Sequence, residues 1–435
     1  MKWILLVFLV AVTALLRFSS DTFIFVEGSD LVYSLGFIIL FSFLIGKLVV
    51  KIGLPMITGY LLAGIAAGPQ LSALMTQPVI QKLHLIDQIA LGIIALTAGG
   101  ELKLSVLKSQ LKSISFIILF QLLLVYFAVG AGLYLLRNLL GFPVEYTTGA
   151  VFAMILFIAT SAVANSPATA IAVITETKAD GPITQRVIGI TVAKDVIVLV
   201  LITGVIAFSK MFLPAEVAGG SGEISLLFIN ILISIGLGVG VGFLITLFLK
   251  YVNQDTPIFI LGIVFAMSAL AETFHFELVL LCVAAGFIVE NISSFGDELI
   301  RSIEESSLPV YVIFFSIAGA SLDLEILQQF WQLAMVVVLL RMLATWYGSY
   351  RGSKLAGDEK YVQKFVWTGF IGQAGITLGL AILVGNLFAD SFGPFLKTVI
   401  VSTIVINQII GPVIFRIGLQ KADEIGRKTV RKERF

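Results

Sequence analysis

A chain of 435 residues that is 58% hydrophobic and only 13% charged, with a mean hydropathy of +1.05, falls outside soluble domains, which carry about 25% charged residues. One cysteine, Cys282, excludes disulfide frameworks, iron–sulfur clusters and cysteine-based zinc sites; with His84 and His275 as the two histidines, neither a transition-metal site nor a cofactor is expected. The net charge of +1 decides nothing about nucleic acid by itself; the apolar runs make the lipid bilayer the partner, and no nucleic-acid partner is expected.

About 20 mainly apolar residues cross the hydrocarbon core as a helix, and fourteen segments of the chain are candidates. They run over 3–18, 31–50, 54–71, 84–101, 113–137, 148–176, 183–209, 224–251, 257–273, 276–291, 307–322, 327–350, 362–388 and 394–418. The expected fold is an all-α polytopic membrane protein of about 13–14 transmembrane helices. Residues 1–30 are read as an N-terminal helix or signal-like segment, retention of 3–18 being favoured because no small-residue cleavage site follows Arg17. Residues 31–209 and 257–418 then hold six spans each, and 210–256 supplies one linking helix. A single crossing between them inverts the second half relative to the first, which makes the halves two inverted six-helix repeats.

With the amino terminus in the cytoplasm, most of the 28 Lys and Arg residues fall on the cytoplasmic side, and Arg17, Lys82, Arg137, Lys210 and Lys397 on the other. The positive-inside rule therefore expects a cytoplasmic C-terminus, and a multi-pass protein of a plasma (inner) membrane. The basic tail, 419–435, suits an anionic inner leaflet. It is too short for a nucleotide-binding domain. In both halves the fifth span is long and interrupted: 148–176 around Pro167, and 362–388 around Gly375. Paired interrupted spans in inverted repeats point to a transport site near the bilayer midplane.

Asp195 lies deep in ITVAKDVIVLVLI, where an unpartnered carboxylate costs about 2.5–3.5 kcal/mol on insertion scales. An ion or proton site and a structural ion pair both satisfy that requirement. Exchange favours the first, because proton and cation compete for one carboxylate. Thr191 shares its helical face and is placed to orient it. Lys194 precedes Asp195 and is turned about 100° from it. Three readings stay open for this lysine: a proton-carrying group, a partner for a carboxylate on another helix, and a side chain in a wet vestibule. At the first break, Thr160, Ser161, Asn165 and Ser166 offer hard oxygens suited to an alkali cation, as do backbone groups freed by the interruption. Gln373 and Thr377 offer similar groups at the second break. Arg341 requires an acid, a helix C-terminus or water, and is read chiefly as a brace. Glu101 and Glu272 lie near membrane edges and are read as solvated or bracing acids. Gly236, Gly238, Gly240 and Gly242 read as a helix-packing stripe.

The run Leu54-Pro55-Met56-Ile57-Thr58-Gly59-Tyr60-Leu61-Leu62-Ala63-Gly64 with Gly68-Pro69, the stretch TSAVANSPATAIAV, the deep Asp195, LPVYVIFFSIAGASLDL, Arg341 and GQAGITLGLAILV occur in that order. On these residues the chain resembles the monovalent cation:proton antiporter superfamily over most of 31–418. The resemblance implies a homodimer in which a six-helix core domain moves against a dimerisation domain. It also implies one ion site built from crossing broken helices and the buried aspartate. The chain departs from that pattern at Lys194, where relatives often carry asparagine, aspartate or glutamine, and at Asn165 and Ser166, where some branches carry an aspartate. Potassium-efflux relatives often append a nucleotide-binding domain, and none is present in this sequence. The expected function is secondary antiport of sodium or potassium ions against protons, with no enzymatic activity. A coupled anion transporter of the same fold, or a non-transporting sensor or subunit, is the alternative.

Overall fold

The computed structural model describes residues 29–427, apart from 141, 143–146, 210–222, 253, 275, 323, 374, 375, 389 and 390. The expected helix at 3–18, His275, Gly375 and the His84 side chain lie outside the described residues. In chain order the α-helices are α1 (Ser29–Val49), α2 (Met56–Ala67), α3 (Gln77–Glu101), α4 (Leu104–Leu136), α5 (Thr148–Val163), α6 (Pro167–Thr177) and α7 (Pro182–Ser209). There follow α8 (Glu223–Tyr251), α9 (Thr256–Phe274), α10 (Leu278–Ile292), α11 (Gly296–Ala320), α12 (Leu324–Ala356), α13 (Lys360–Phe365), α14 (Ile376–Leu387) and α15 (Gly393–Lys421). Short 3-10 turns occupy Val50–Ile52 and Val366–Phe370. Among the described residues, eight helices are long and apolar enough to cross a membrane. The pieces Gln77–Leu83 and Gln88–Glu101 of α3, bent by 41°, reach that length and apolarity only when taken together. Met56–Ala67, Leu278–Ile292 and Pro309–Ala320 are apolar but short. The chain is an integral, multi-pass membrane protein.

Local chemistry sets several of these boundaries. After α1 the backbone turns at Gly53, whose φ of 84° lies in the left-handed region that only glycine enters without strain. Pro55 precedes α2 in extended conformation, lacking an N–H that the helix start would leave unbonded. The span expected at 113–137 begins earlier, at Leu104, and the one expected at 327–350 extends at both ends, to Leu324–Ala356. Helix α12 carries a kink at Phe330 (φ −118°, ψ 19°).

The chain divides into two compact units, Met1–Glu101 with Ile231–Leu322, and Leu102–Asn230 with Asp323–Phe435. In the first unit α2 packs on α11, and α3 on α10. Glycine makes both approaches close. A Cβ on Gly64 of α2 would lie 2.8 Å from the Ser316 carbonyl carbon, and one on Gly286 of α10 would lie 2.6 Å from the Gly100 nitrogen. Between helices in lipid, such close backbone contact replaces the hydrophobic drive that water would provide. Part of the glycine stripe of α8 works the same way: a Cβ on Gly238 or Gly242 would meet α10, whereas Gly236 and Gly240 have open space beside them.

In the second unit α4 packs on α12 and α5, and α15 on α12 and α14. The apolar core holds Phe157, Val198, Val337, Phe388 and Phe392, with the Phe157 and Phe388 rings 5.4 Å apart. Of the apolar window in Thr148–Thr177, 78% is buried, against 28% for Leu107–Leu136. The first broken span is therefore sheathed by the other helices of its unit.

Candidate functional site

The two interrupted spans meet inside the second unit. Helix α5 ends at Val163; Ala164 and Ser166 are extended, and α6 begins at Pro167, whose missing N–H suits the first helical position. The Ser166 hydroxyl caps α6, accepting from Thr169 N at 3.1 Å and from the Thr169 hydroxyl at 2.9 Å. In the second interrupted span a 3-10 turn, Val366–Phe370, precedes a non-helical stretch beginning at Ile371, and α14 resumes at Ile376. Ser166 N donates to Gly372 O at 2.9 Å, joining one break to the other. Gln373 reaches back to the Ser161 and Ala164 carbonyls at 2.9 and 3.3 Å. Its own oxygen accepts from Asn407 Nδ2 at 2.7 Å, which ties α15 to the crossing. Helix α15 comes close because Gly411 lies over Gly372: a Cβ there would sit 2.7 Å from the Gly372 nitrogen.

Arg341 of α12 lies fully buried behind this crossing. Its guanidinium donates to Ala162 O, Ala164 O, Phe370 O and Ile371 O at 2.8–3.0 Å, and to Asn165 Oδ1 at 3.1 Å. The carbonyls released where α5 and the 3-10 turn end thus converge on one cation. Of the three partners the sequence allows, it finds helix C-termini, where a positive charge is favoured. The same geometry engages carbonyls that a bare break would offer to an alkali ion.

The remaining oxygens at the breaks are distributed as follows. Thr160 and Ser161 donate their hydroxyl protons to Leu156 O and Ile158 O of their own helix, each at 2.8 Å. A side-chain hydrogen bond also links Thr160 to Tyr126 of α4. Asn165 Nδ2 and Thr377 Oγ1 are buried and find no hydrogen-bond partner among the described residues. Thr191 donates within α7, to Val187 O and Ile188 O at 2.8 and 3.0 Å.

Asp195 and Lys194 sit side by side on α7, each 1% exposed, and α7 packs on α5, α6 and the 3-10 turn. Lys194 Nζ donates to Gln121 Oε1 of α4 at 3.0 Å. Its hydrogen-bond acceptor is thus a neutral amide on another helix, a partner absent from the three sequence readings. The Arg341 guanidinium and the Asp195 carboxylate both act on that ammonium through space. Glu272 is exposed and Glu101 half-buried, both in the first unit.

Gln121, Ser349, Asn407, Asp358 and Glu424 were not singled out from the sequence, although Gln121 alone, and Asn407 with Gln408, stand isolated in apolar runs. That isolation is the signal that finds them, since a polar side chain at membrane depth calls for a partner. Glu424 is buried. Its carboxylate accepts from Ile183 N and Thr184 N at 2.8 and 2.9 Å, capping the helix that carries Asp195. Near the same end, Arg186 pairs with Asp358 at 2.8 Å, and Ser113 donates to that carboxylate at 2.6 Å.

No curated protein matches the sequence. Among solved structures the fold is similar to the sodium proton antiporter MjNhaP1 from Methanocaldococcus jannaschii at pH 8. The likeness covers 92% of this chain and 100% of that one, at 17% identity with a TM-score of 0.63. A second structure of that antiporter, from electron microscopy, covers 92% and 97% at 17% identity with a TM-score of 0.68. These likenesses establish the fold. The model of the family described as sodium/hydrogen exchanger, transmembrane, matches residues 34–421, nearly the whole run of helices just described, and the chain belongs to that family.

Proposed function

We propose that this protein, a cation/proton exchanger by family, moves sodium against protons by alternating access, with Asp195 holding cation and proton in turn. The observation that carries the proposal is a carboxylate 1% exposed on a helix packed against the broken α5–α6 span. In that environment a proton and a cation are alternative ways to neutralise the charge of the carboxylate. Both partners of the exchange then compete for one group, which couples their opposite movements. The hydroxyls of Thr160 and Ser161, with Asn165 and Ser166, complete the cation's shell; Thr191, Gln373, Thr377 and Arg341 support the geometry. Potassium in place of sodium is the variant that ion substitution tests. Division of the chain into repeats 31–209 and 257–418, a homodimer, a plasma (inner) membrane and a cytoplasmic C-terminus belong to the same proposal; the charge asymmetry of the loops supports the last of these.

The test is proton flux in proteoliposomes challenged separately with sodium, potassium and lithium, for the wild type and Asp195→Asn, with the membrane potential clamped and unclamped. Sodium-driven flux is expected in the wild type and none in Asp195→Asn. Exchange that persists in the variant removes Asp195 from the mechanism. Flux driven by potassium alone reassigns the ion, and anion-dependent uptake with no cation-driven proton flux overturns the exchanger reading.

A further inference from the structure

Lys194 lies beside the carboxylate proposed to carry the ion, and an ammonium that settled there would occupy the site as an internal cation. Its hydrogen bond runs elsewhere. Nζ donates to Gln121 Oε1 at 3.0 Å. Gln121 is itself fully buried, and its Nε2 donates to Ser349 Oγ of α12 at 2.6 Å. Ser349, also buried, donates its proton to Thr345 O at 2.6 Å. The direction of this chain is fixed by chemistry. An ammonium has only donors, so the amide must turn its oxygen to Lys194 and its nitrogen to Ser349; the hydroxyl proton, spent on Thr345 O, leaves Oγ to accept. Three helices, α7, α4 and α12, thus hold one side chain through donors that all point the same way.

We infer that Gln121, oriented by Ser349, is a positioning residue of the exchange site: it holds the Lys194 amino group on a neutral acceptor on α4, so that this group does not compete with the transported cation at Asp195. The inference rests on Asp195 as the exchanging carboxylate. A neutral acceptor matters because an amine keeps N–H donors whether or not it carries the extra proton, so the hold survives either charge state. Loss of the amide leaves a buried ammonium without that acceptor, and the nearest compensating charge is the carboxylate one residue on. Sodium must then displace it.

The experiment measures KM and kcat for sodium-driven proton flux in proteoliposomes of the full chain, and sodium binding to the purified protein by calorimetry. Gln121→Leu is expected to raise the KM roughly tenfold, the weight of a charged hydrogen bond, with kcat within about threefold. Gln121→Glu keeps an acceptor for Lys194 but loses the donor to Ser349, and is expected to raise the KM less than Gln121→Leu does, while Ser349→Ala raises it about threefold by freeing the amide. In a Lys194→Met background both Gln121→Leu and Ser349→Ala are expected to change the KM by less than about twofold, since nothing is left to position. An equal effect with and without Lys194, or a fall in kcat with the KM unmoved, overturns the inference. Where a variant binds sodium without turning over, the same ratios are read from calorimetry. If Gln121→Leu does not elute like the wild type on gel filtration, Ser349→Ala and its double variant decide. Survival of exchange in Asp195→Asn sinks the parent reading; a Lys194-independent effect of Gln121 sinks this inference alone.

Discussion

Arg341→Ala removes the donors that hold the carbonyls of Ala162, Ala164, Phe370 and Ile371 and the Asn165 amide oxygen. Each buried acceptor left without a donor costs about 1 kcal/mol or more. The gross penalty over these groups is roughly 4–5 kcal/mol, before water enters the vacated space. Against it stands the cost of holding a guanidinium at full burial, several kcal/mol that the variant no longer bears. The net expectation is a loss of about 2–3 kcal/mol, which for a chain of this length corresponds to a fall of roughly 2–3 °C in melting temperature. Arg341→Lys recovers less than half, because an ammonium cannot span carbonyls from both breaks at once. The assay is thermal unfolding in one detergent at one protein concentration, with Asp195→Asn as a control that leaves these bonds intact and melts like the wild type. Sodium-driven flux is expected to fall more than about tenfold in Arg341→Ala, since the breaks lose their register. An Arg341→Ala protein melting within about 1 °C of the wild type refutes the bracing argument.

Gly411→Ala places a Cβ 2.7 Å from Gly372 N and 2.8 Å from Gly372 Cα; a destabilisation of about 1–3 kcal/mol is expected on thermal unfolding, and an unchanged melting curve refutes the close approach. Glu424→Ala uncaps α7 by removing the acceptor of Ile183 N and Thr184 N. It is expected to cost about 1–2 kcal/mol, with Glu424→Gln costing less because one oxygen remains, and equal losses in the two variants argue against a charge contribution. Competition at Asp195 predicts that the KM for sodium rises as pH falls, by up to about tenfold per unit where the proton occupies the site; a KM independent of pH across pH 5–9 separates proton and cation sites.

Much of the helical architecture is legible in the sequence because lipid demands it. A segment without water must satisfy its own backbone, so apolar length alone marks α1, α4, α7, α8, α9 and α15. Pro167 marks the first break by removing an N–H, and Asp195 marks itself by the cost of a carboxylate at depth. The second break is less plain: the 3-10 turn Val366–Phe370 contains no proline, and it is Ile371 O and Phe370 O meeting Arg341 that hold it open. Long-range partners are not legible at all. Glu424 meets Thr184 across 240 positions and Lys194 meets Gln121 across 73, and neither spacing has a period that a helix or a repeat would impose.

What the structure adds to the proposed site is a division of labour between cations. At a broken helix the freed carbonyls are the obvious ligands for an alkali ion, yet here four of them face Arg341. A guanidinium fixed in the protein cannot leave with the substrate, so the partial negative charge where α5 and the 3-10 turn end is compensated by the protein itself. Under the proposed function the transported ion must then find its counter-charge elsewhere, and Asp195 is the buried carboxylate of the neighbouring helix. A site whose fixed dipoles are already satisfied is switched by one titrating group. Loading a proton neutralises it and loading sodium neutralises it equally, so under that proposal the crossing is made with one or the other aboard.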